Sequence, residues 1–443
     1  MTNPRRDGFL LLVLASALFL AAGFVFESGD SASPDFKGIY YGTRCLLQHA
    51  DPYKVSEVRR LYRDDAGQRP PDPPYSIYDP NRPFVMAQIY LPGTFLVALP
   101  FAVLAWGPAH FLWISCIVAV FVLAAFLAWN LAADHAPVLS ACLLGFLLVN
   151  SLVLFTSANP AGIAVSLCVI AAWCFLRDRF FALGVLCLAL SLTFKPHDAG
   201  LVWLYFLLAG GSYRKRALQT LAVSVVLGLA GMLWVSQIAP QWLPEMRANL
   251  VQNLHNGLDD PGPNAPYART ASTIIDLQTD LSCLRDNPRF YNPASYMVVG
   301  ALLIVWGIAT LRSRPSFPMA LLALAPVVSL TLLPVYHRAV DAKLLMLAVP
   351  ACALLVRQGG TAGRLALGTT AAAILFTGDI PLDLLVHLAD RLHLPPTGLA
   401  AALLRILLLR PVPLVLLLMS SVSLWIYARC SRKPLLPTEM ADL

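Results

Sequence analysis

Three groups of ionisable residues stand out against a chain that is otherwise mostly hydrocarbon. Asp35 comes nine positions after an apolar run from Phe9 to Phe26, where a membrane helix would hand the chain to water. Lys195-Pro196-His197-Asp198 closes a later apolar run, and Tyr336-His337-Arg338, with Asp341 and Lys343, joins two more. A carboxylate at a membrane surface can take the proton of a soluble hydroxyl, and cations beside it can stabilise a departing phosphate. A positioned base contributes roughly 10² to 10⁴ in rate, and fixed positive charge often supplies more. A charge at the bilayer centre costs about 2.5 to 3.5 kcal/mol on insertion scales, so all three groups belong near the surface or facing a polar cavity.

Each group also has a plainer reading. Ser33-Pro34-Asp35 opens the amphipathic stretch Phe36 to Gln48, and Asp commonly caps helices, so cap and base both remain open for Asp35. Lys195 can simply snorkel to the interface. The group around His337 favours function, because five polar or ionisable residues within eight positions interrupt an apolar stretch. Asp259-Asp260, followed by Pro-Gly-Pro-Asn, reads first as a turn, although paired carboxylates can bind a metal or act as a base. The tyrosines at 40, 41, 53, 75, 78 and 90 can stack on sugar rings, but aromatic belts at membrane interfaces are commoner. The histidines lack the spacing of a zinc site, so no structural metal and no cofactor are expected.

The elements that must position these residues are membrane helices. Of 443 residues, 58% are hydrophobic and 13% charged, where globular proteins carry roughly 25% charged residues; the mean hydropathy is +0.67. Apolar runs recur along nearly the whole length, which points to an all-α polytopic membrane protein forming one integral domain over residues 1–443. The net charge of +7 would suggest nucleic acid in a soluble protein, but here Lys and Arg sit in short linkers between apolar runs, so the charge reports topology. Arg5 and Arg6 with Ser31-Ala32-Ser33 imitate a secretory signal, yet the run is too long and the cleavage-like site too distant; a retained first helix is expected. Six of nine cysteines (Cys116, Cys142, Cys168, Cys174, Cys187, Cys352) fall in apolar runs as small packing residues. Cys45 and Cys283 lie in long polar loops and could pair only if those loops met in an oxidising compartment.

Candidate runs begin near Phe9, Ile89, Phe111, Val138, Ala161, Phe180, Ala199, Ala217, Ala294, Pro318, Lys343, Leu365 and Pro411. If all of them cross, Arg177-Asp178-Arg179 and Tyr213-Arg214-Lys215-Arg216 cannot share a side with Arg5 and Arg6. Demoting the run at 89–105, which Pro92, Gly93 and Pro100 interrupt, to a juxtamembrane segment repairs the parity. The cytoplasmic side then collects Arg5, Arg6, Arg177, Arg179, Arg214, Lys215, Arg216, Arg312, Arg314, Arg357, Arg364, Arg429, Arg432 and Lys433, with both termini inside and about twelve crossings. The expected layout is a first span at 9–26, an outer loop at 27–88, spans over 108–238, a second outer loop at 239–292 and C-terminal spans over 293–428. Pro70 to Pro83 reads as a packed loop carrying Tyr75, Tyr78 and Arg82. Between Leu384 and Arg410, His387, Asp390, Arg391 and His393 suggest an amphipathic surface helix outside.

A cytosolic nucleotide would need a Gly-rich phosphate cradle, and the sequence has none. Chemistry on the outer face therefore calls for a donor already in the membrane, such as a lipid phosphate. The order of Pro34-Asp35-Phe36 with Tyr40-Tyr41, Asp51-Pro52-Tyr53, Tyr90-Leu91-Pro92, Asn159-Pro160, Gly184, Lys195-Pro196 and His337 resembles glycosyltransferase family 87 of the GT-C superfamily, whose members include polyprenyl-phosphate-mannose-dependent alpha-mannosyltransferases. The similarity covers most of the chain and is strongest from Ser33 to Pro100.

The resemblance implies a GT-C-like bundle in which Asp35 is the catalytic base, activating an acceptor hydroxyl, and His337 lies near the donor phosphate. Lys195, His197, Arg338, Lys343, Tyr41, Tyr90 and Asn159 complete the expected substrate-binding set. Ser157-Ala158-Asn159 stands where the family usually has Gly-Gln-x-Asn, which leaves the donor and acceptor open. The partners so implied are a polyprenyl-phosphate sugar, a glycolipid or glycan acceptor and membrane lipid; the lack of any Asn-x-Ser/Thr in the outer loops leans toward a bacterial inner membrane, and the placement of Lys and Arg gives no reason to expect nucleic acid. Two other classes compete: a secondary transporter or lipid flippase, against which stand the missing symmetry between halves and the short inner loops, and a noncatalytic scaffold.

Overall fold

The structure, a computed structural model, describes residues 3–27, 33–65, 85, 88–255, 261–263, 273–392 and 398–432. The expectations for Ser31-Ala32, Pro70 to Pro83, Asp259-Asp260 and His393 lie outside the described residues. Within them every regular element is helical; the one backbone pairing of strand type is an isolated bridge between Ile274 and Arg338. The helices are α1 (Pro4–Glu27), α2 (Pro34–Leu47), α3 (Val55–Asp64), α4 (Pro92–Ala102), α5 (Trp106–Ala132), α6 (Pro137–Val149), α7 (Val153–Ser157), α8 (Ala161–Leu176), α9 (Phe181–Phe194), α10 (Pro196–Ala209), α11 (Gly211–Ile238) and α12 (Trp242–His255). There follow α13 (Leu277–Leu284), α14 (Pro288–Arg312), α15 (Phe317–Leu332), a 3-10 segment at Asp341–Ala348, α16 (Val349–Gln358), α17 (Gly360–Phe376), α18 (Asp379–Arg391), α19 (Leu399–Leu404) and α20 (Val412–Arg432).

Apolar runs become helices here because a backbone out of water must satisfy its N–H and C=O groups within its own segment. Six helices are long and apolar enough to cross a membrane, and α17 with the start of α18 forms a seventh candidate bent by 69°. Shorter apolar helices such as α8 and α15 fill the interior: fourteen of sixteen residues are buried in each. On the perimeter, α1, α11 and α14 turn Leu14, Val226, Leu233, Met297 and Ile304 outward, as a hydrocarbon-facing surface requires. The run near Ile89 yields only α4, eleven residues or about 16 Å at 1.5 Å per residue, roughly half of a bilayer core. It packs on α11 so closely that a Cβ on Gly231 would meet Pro92 O at 2.7 Å and Gly93 Cα at 2.8 Å, which only glycine avoids.

One end of the bundle is basic. Asp134, just past α5, lies 3.3 Å from Arg5 and 3.5 Å from Arg177, and its carbonyl accepts from Arg357 at 2.6 Å. Arg216 pairs with Asp178 beside them. Four helices reach this end: α1 starts there, and α5, α8 and α16 finish there. Followed to their other ends, they lead to Asp35, to Trp106 and His110, to Asn159 and to Asp341, so these residues share the opposite end.

The two polar regions also meet. Asn249 of α12 donates to Tyr53 O at 2.9 Å and Gln88 O at 3.0 Å, and Lys54 lies 3.8 Å from Asp51 and 3.9 Å from Glu245. An open polar cleft of about 400 Å³, lined by Gln48, Asp51, Lys54, Glu57 and Gln241 among others, runs along this contact and holds none of the residues around Asp35. Partial removal from water, then the neighbouring Asp51, raise the Glu245 carboxyl to about 7, against the pull of Lys54. An unfolded Glu titrates near about 4.3, so the folded contact binds the extra proton. Its stabilisation is therefore full below that value and is lost as pH rises through about 7. Amide exchange in α12, corrected for intrinsic rates, should accelerate between pH 5 and pH 8 in the parent protein, whereas Glu245→Gln should hold it level.

All nine cysteines are free thiols. Cys45 is buried on α2, and Cys283 on α13 lies 3.7 Å from an Arg410 nitrogen, so the disulfide that the sequence left open is not formed. The amphipathic stretch after Asp35 is α2, yet ten of its fourteen residues are buried; it is an internal helix, packed on α3 and α4, with Phe36 stacked against Trp113 of α5.

Candidate functional site

Ser33, not Asp35, occupies the cap position of α2, in a left-handed conformation (φ 38°) and without a side-chain capping bond. Its N–H donates to Thr156 O at 3.2 Å, and its Oγ meets His110 Nε2 at 2.8 Å. Asp35 therefore falls in the first turn, where the helix dipole favours an anion. Its Oδ2 accepts from Asn159 Nδ2 at 2.9 Å, across 124 positions of sequence. The amide of Asn159 is oriented by its own neighbour, because the Ala161 N–H donates to Asn159 Oδ1 at 2.8 Å. Only the NH2 side is left to face the carboxylate. The carboxylate is half-buried, and this donor fixes the position of one of its oxygens.

Beside it stands a cluster built from the start of α10 and the segment between α15 and the 3-10 turn. Lys195 Nζ pairs with Asp341 Oδ1 at 2.6 Å, with side-chain exposures of 12% and 2%, and lies within Coulombic reach of Asp35 and Asp198. Asp341 Oδ2 accepts from the Arg338 N–H at 2.8 Å. The Arg338 guanidinium donates to the Tyr336 hydroxyl and, at 3.1 Å, to Thr273 Oγ1. His337 is wholly buried, with Nε2 3.2 Å from Asp198 Oδ1, and its ring meets that of His197 at 4.9 Å between centroids.

This loop is laced to the second polar region. Ile275 N–H donates to His337 O at 3.0 Å, Leu277 N–H to Leu333 O at 3.0 Å and Ala339 N–H to Thr273 O at 3.2 Å. Asp276 caps α13 through the Thr279 N–H at 3.1 Å, and its complete burial pushes the carboxyl up to about 6 despite that bond and nearby His337.

Of the residues singled out in the sequence, Asp35, Asn159, Lys195, His197, His337 and Arg338 gather at this end of the bundle. Lys343, Tyr41 and Tyr90 have other partners. Lys343 is enclosed and donates to Asn150 O at 3.0 Å and Thr377 O at 3.3 Å, with Asp379 at 3.5 Å. Asp379 in turn accepts from the Val153 N–H at 2.7 Å, so Lys343 ties together the ends of α6, α7, α17 and α18. The Tyr41 hydroxyl donates to Asp65 at 2.8 Å while its ring stacks on Trp106. Tyr90 offers its carbonyl to the Tyr53 hydroxyl at 2.7 Å.

Two residues of the site were not singled out in the sequence. Lys37, two positions after Asp35, is 5% exposed, with its ammonium 5.6 Å from the centre of the Tyr62 ring. The signal was a charge inside the apolar run of Phe36, Ile39, Tyr40 and Tyr41. His110 interrupts the apolar face of α5, and its ring stacks on Trp106 and on Phe36, which also touch each other. An isolated polar ring in a membrane helix is such a signal.

The arrangement offers a carboxylate that accepts protons and a group of cations balanced by buried acids, on helix ends away from the basic end. No protein-family model, curated protein or solved structure matches the chain.

Proposed function

We propose that the chain is a membrane glycosyltransferase that moves a sugar, mannose as the first candidate, from a polyprenyl-phosphate donor to an acceptor hydroxyl on the extracytoplasmic face. The observation that carries this reading is Asp35: a carboxylate fixed by Asn159 at the end of the bundle that also holds Lys195, His337 and Arg338. In this reading twelve elements cross the membrane: α1, α5, α6, α8, α9, α10, α11, α14, α15, the 3-10 segment with α16, α17 and α20. Both termini then lie with the arginines at the basic end, in the cytoplasm, as the positive-inside rule asks. The polar regions between α1 and α5 and between α11 and α14 lie outside, with α4 beneath the first.

The chemistry follows from charge. Asp35 takes the proton of the acceptor hydroxyl as its oxygen bonds to the anomeric carbon. The bond from that carbon to the phosphate oxygen breaks, and its electron pair leaves with the lipid phosphate. Lys195 and the neighbouring cations offset the charge that develops there, in a site where water screens little. The decisive experiment incubates the purified protein with a panel of polyprenyl-phosphate sugars and follows loss of the sugar from each. Consumption of one donor is the expected result; a panel left intact in the presence of glycan and glycolipid acceptors removes the reading.

A further inference from the structure

Both carboxylate oxygens of Asp198 and the Nε2 of His337 are buried without a hydrogen-bond partner, although each residue is fully enclosed. A buried polar atom left unmet is costly, and more so when charged, so this convergence needs an occupant. His337 Nε2 lies 3.2 Å and His197 Nε2 3.6 Å from the same oxygen, Asp198 Oδ1, and the three ligand atoms lie within 4.8 Å of one another. Around a tetrahedral ion with bonds of roughly 2.1 Å, ligand atoms stand about 3.4 Å apart.

The far side of the His337 ring fixes its chemistry. Nδ1 is 2.8 Å from Val335 O, and a carbonyl can only accept, so Nδ1 carries the hydrogen. In the neutral ring the lone pair of Nε2 then faces the lone pairs of a carboxylate. A cation must lie between them: a proton on Nε2, or a metal ion. A backbone carbonyl on the second nitrogen is also the usual outer support of a metal-bound histidine.

The second imidazole favours the metal: its Nε2 stands 3.6 Å from the same oxygen, too far for a hydrogen bond but close to the spacing of two ligands on one ion. We propose that His197, Asp198 and His337 form a binding site for a divalent first-row transition metal, zinc being the first candidate and manganese the second. Two imidazoles and one carboxylate suit such ions. Three protein ligands would leave a coordination position open, and solvent reaches the group from the side of His197, whose side chain is 38% exposed while those of the other two are at 0%. Water or an anionic oxygen would fill it. The spacing rule passed over this site because His197 and Asp198 are adjacent, whereas His337 arrives from a distant loop.

The test reads metal, not sugar transfer, so its outcome is separate from that of the proposed reaction. Full-length protein in detergent is stripped with chelator and dialysed against zinc alone or manganese alone, and bound metal is measured by mass spectrometry. One equivalent per chain is expected for one of the ions. His197→Ala, at the exposed ligand and so least disruptive of folding, should weaken binding at least about tenfold, as should Asp198→Asn; His387→Ala, an exposed residue elsewhere, should bind as the parent does. A folded parent that binds neither ion at micromolar concentration, or His197→Ala binding as tightly as the parent, overturns the proposal.

Discussion

Asp35→Asn is expected to lower sugar transfer by about 10² to 10⁴, the contribution typical of a positioned general base, with little change in folding. The reason lies in the bond to Asn159 that the structure gives this carboxylate across the fold. Asn159 donates to Asp35 Oδ2 at 2.9 Å, and an asparagine at position 35 offers a carbonyl oxygen to the same NH2 group. The hydrogen bond and the first-turn position survive, and what disappears is the capacity to take a proton. The measurement is single-turnover transfer with saturating donor, alongside thermal unfolding of the same preparation. Transfer within about threefold of the parent would remove Asp35 from the chemistry. A large loss of both activity and melting temperature would make it a structural residue instead.

Asp341→Ala is expected to destabilise the folded protein by about 3 to 5 kcal/mol, because it strips a buried ion pair of one partner. Asp341 serves two groups at once, the Lys195 ammonium at 2.6 Å and the Arg338 N–H at 2.8 Å. With side-chain exposures of 12% and 2%, neither end of the Lys195 pair can recover its hydration by a small movement. Desolvation, rather than the attraction lost, then sets the size of the effect. The double variant Lys195→Met with Asp341→Leu should regain most of the stability while losing transfer, since it removes both charges together. Denaturant unfolding of Lys195→Met, Asp341→Leu and the double variant closes the cycle. Additive losses would mean that the two residues do not act on each other.

The charged residues of the cluster are of two kinds. Asp35 is half-buried in the first turn of α2, where the helix dipole favours its charge. Lys195 and Asp341 need each other to stay buried at all. Lys343 belongs to the second kind: two carbonyls and Asp379 enclose its ammonium, which suits holding four helix ends in place.

The sequence by itself determined the helices and where they break. Each of its thirteen apolar runs is a helix or a pair of short ones, and the prolines and glycine of 89–105 shorten α4 below a bilayer width. Arg5, Arg177 and Arg357 gather at one end as the charge pattern required. These features are local, because run length and punctuation act within a single segment whose backbone must satisfy itself. Tertiary structure alone decided the partners of the polar side chains. It gave the cap of α2 to Ser33 and the carboxylate of Asp35 to Asn159, drew Lys343 and Tyr41 to other anchors, and set His197 and His337 around Asp198. A polar group removed from water must find a counterpart, and that counterpart comes from whichever helix end packs beside it, however far away in sequence.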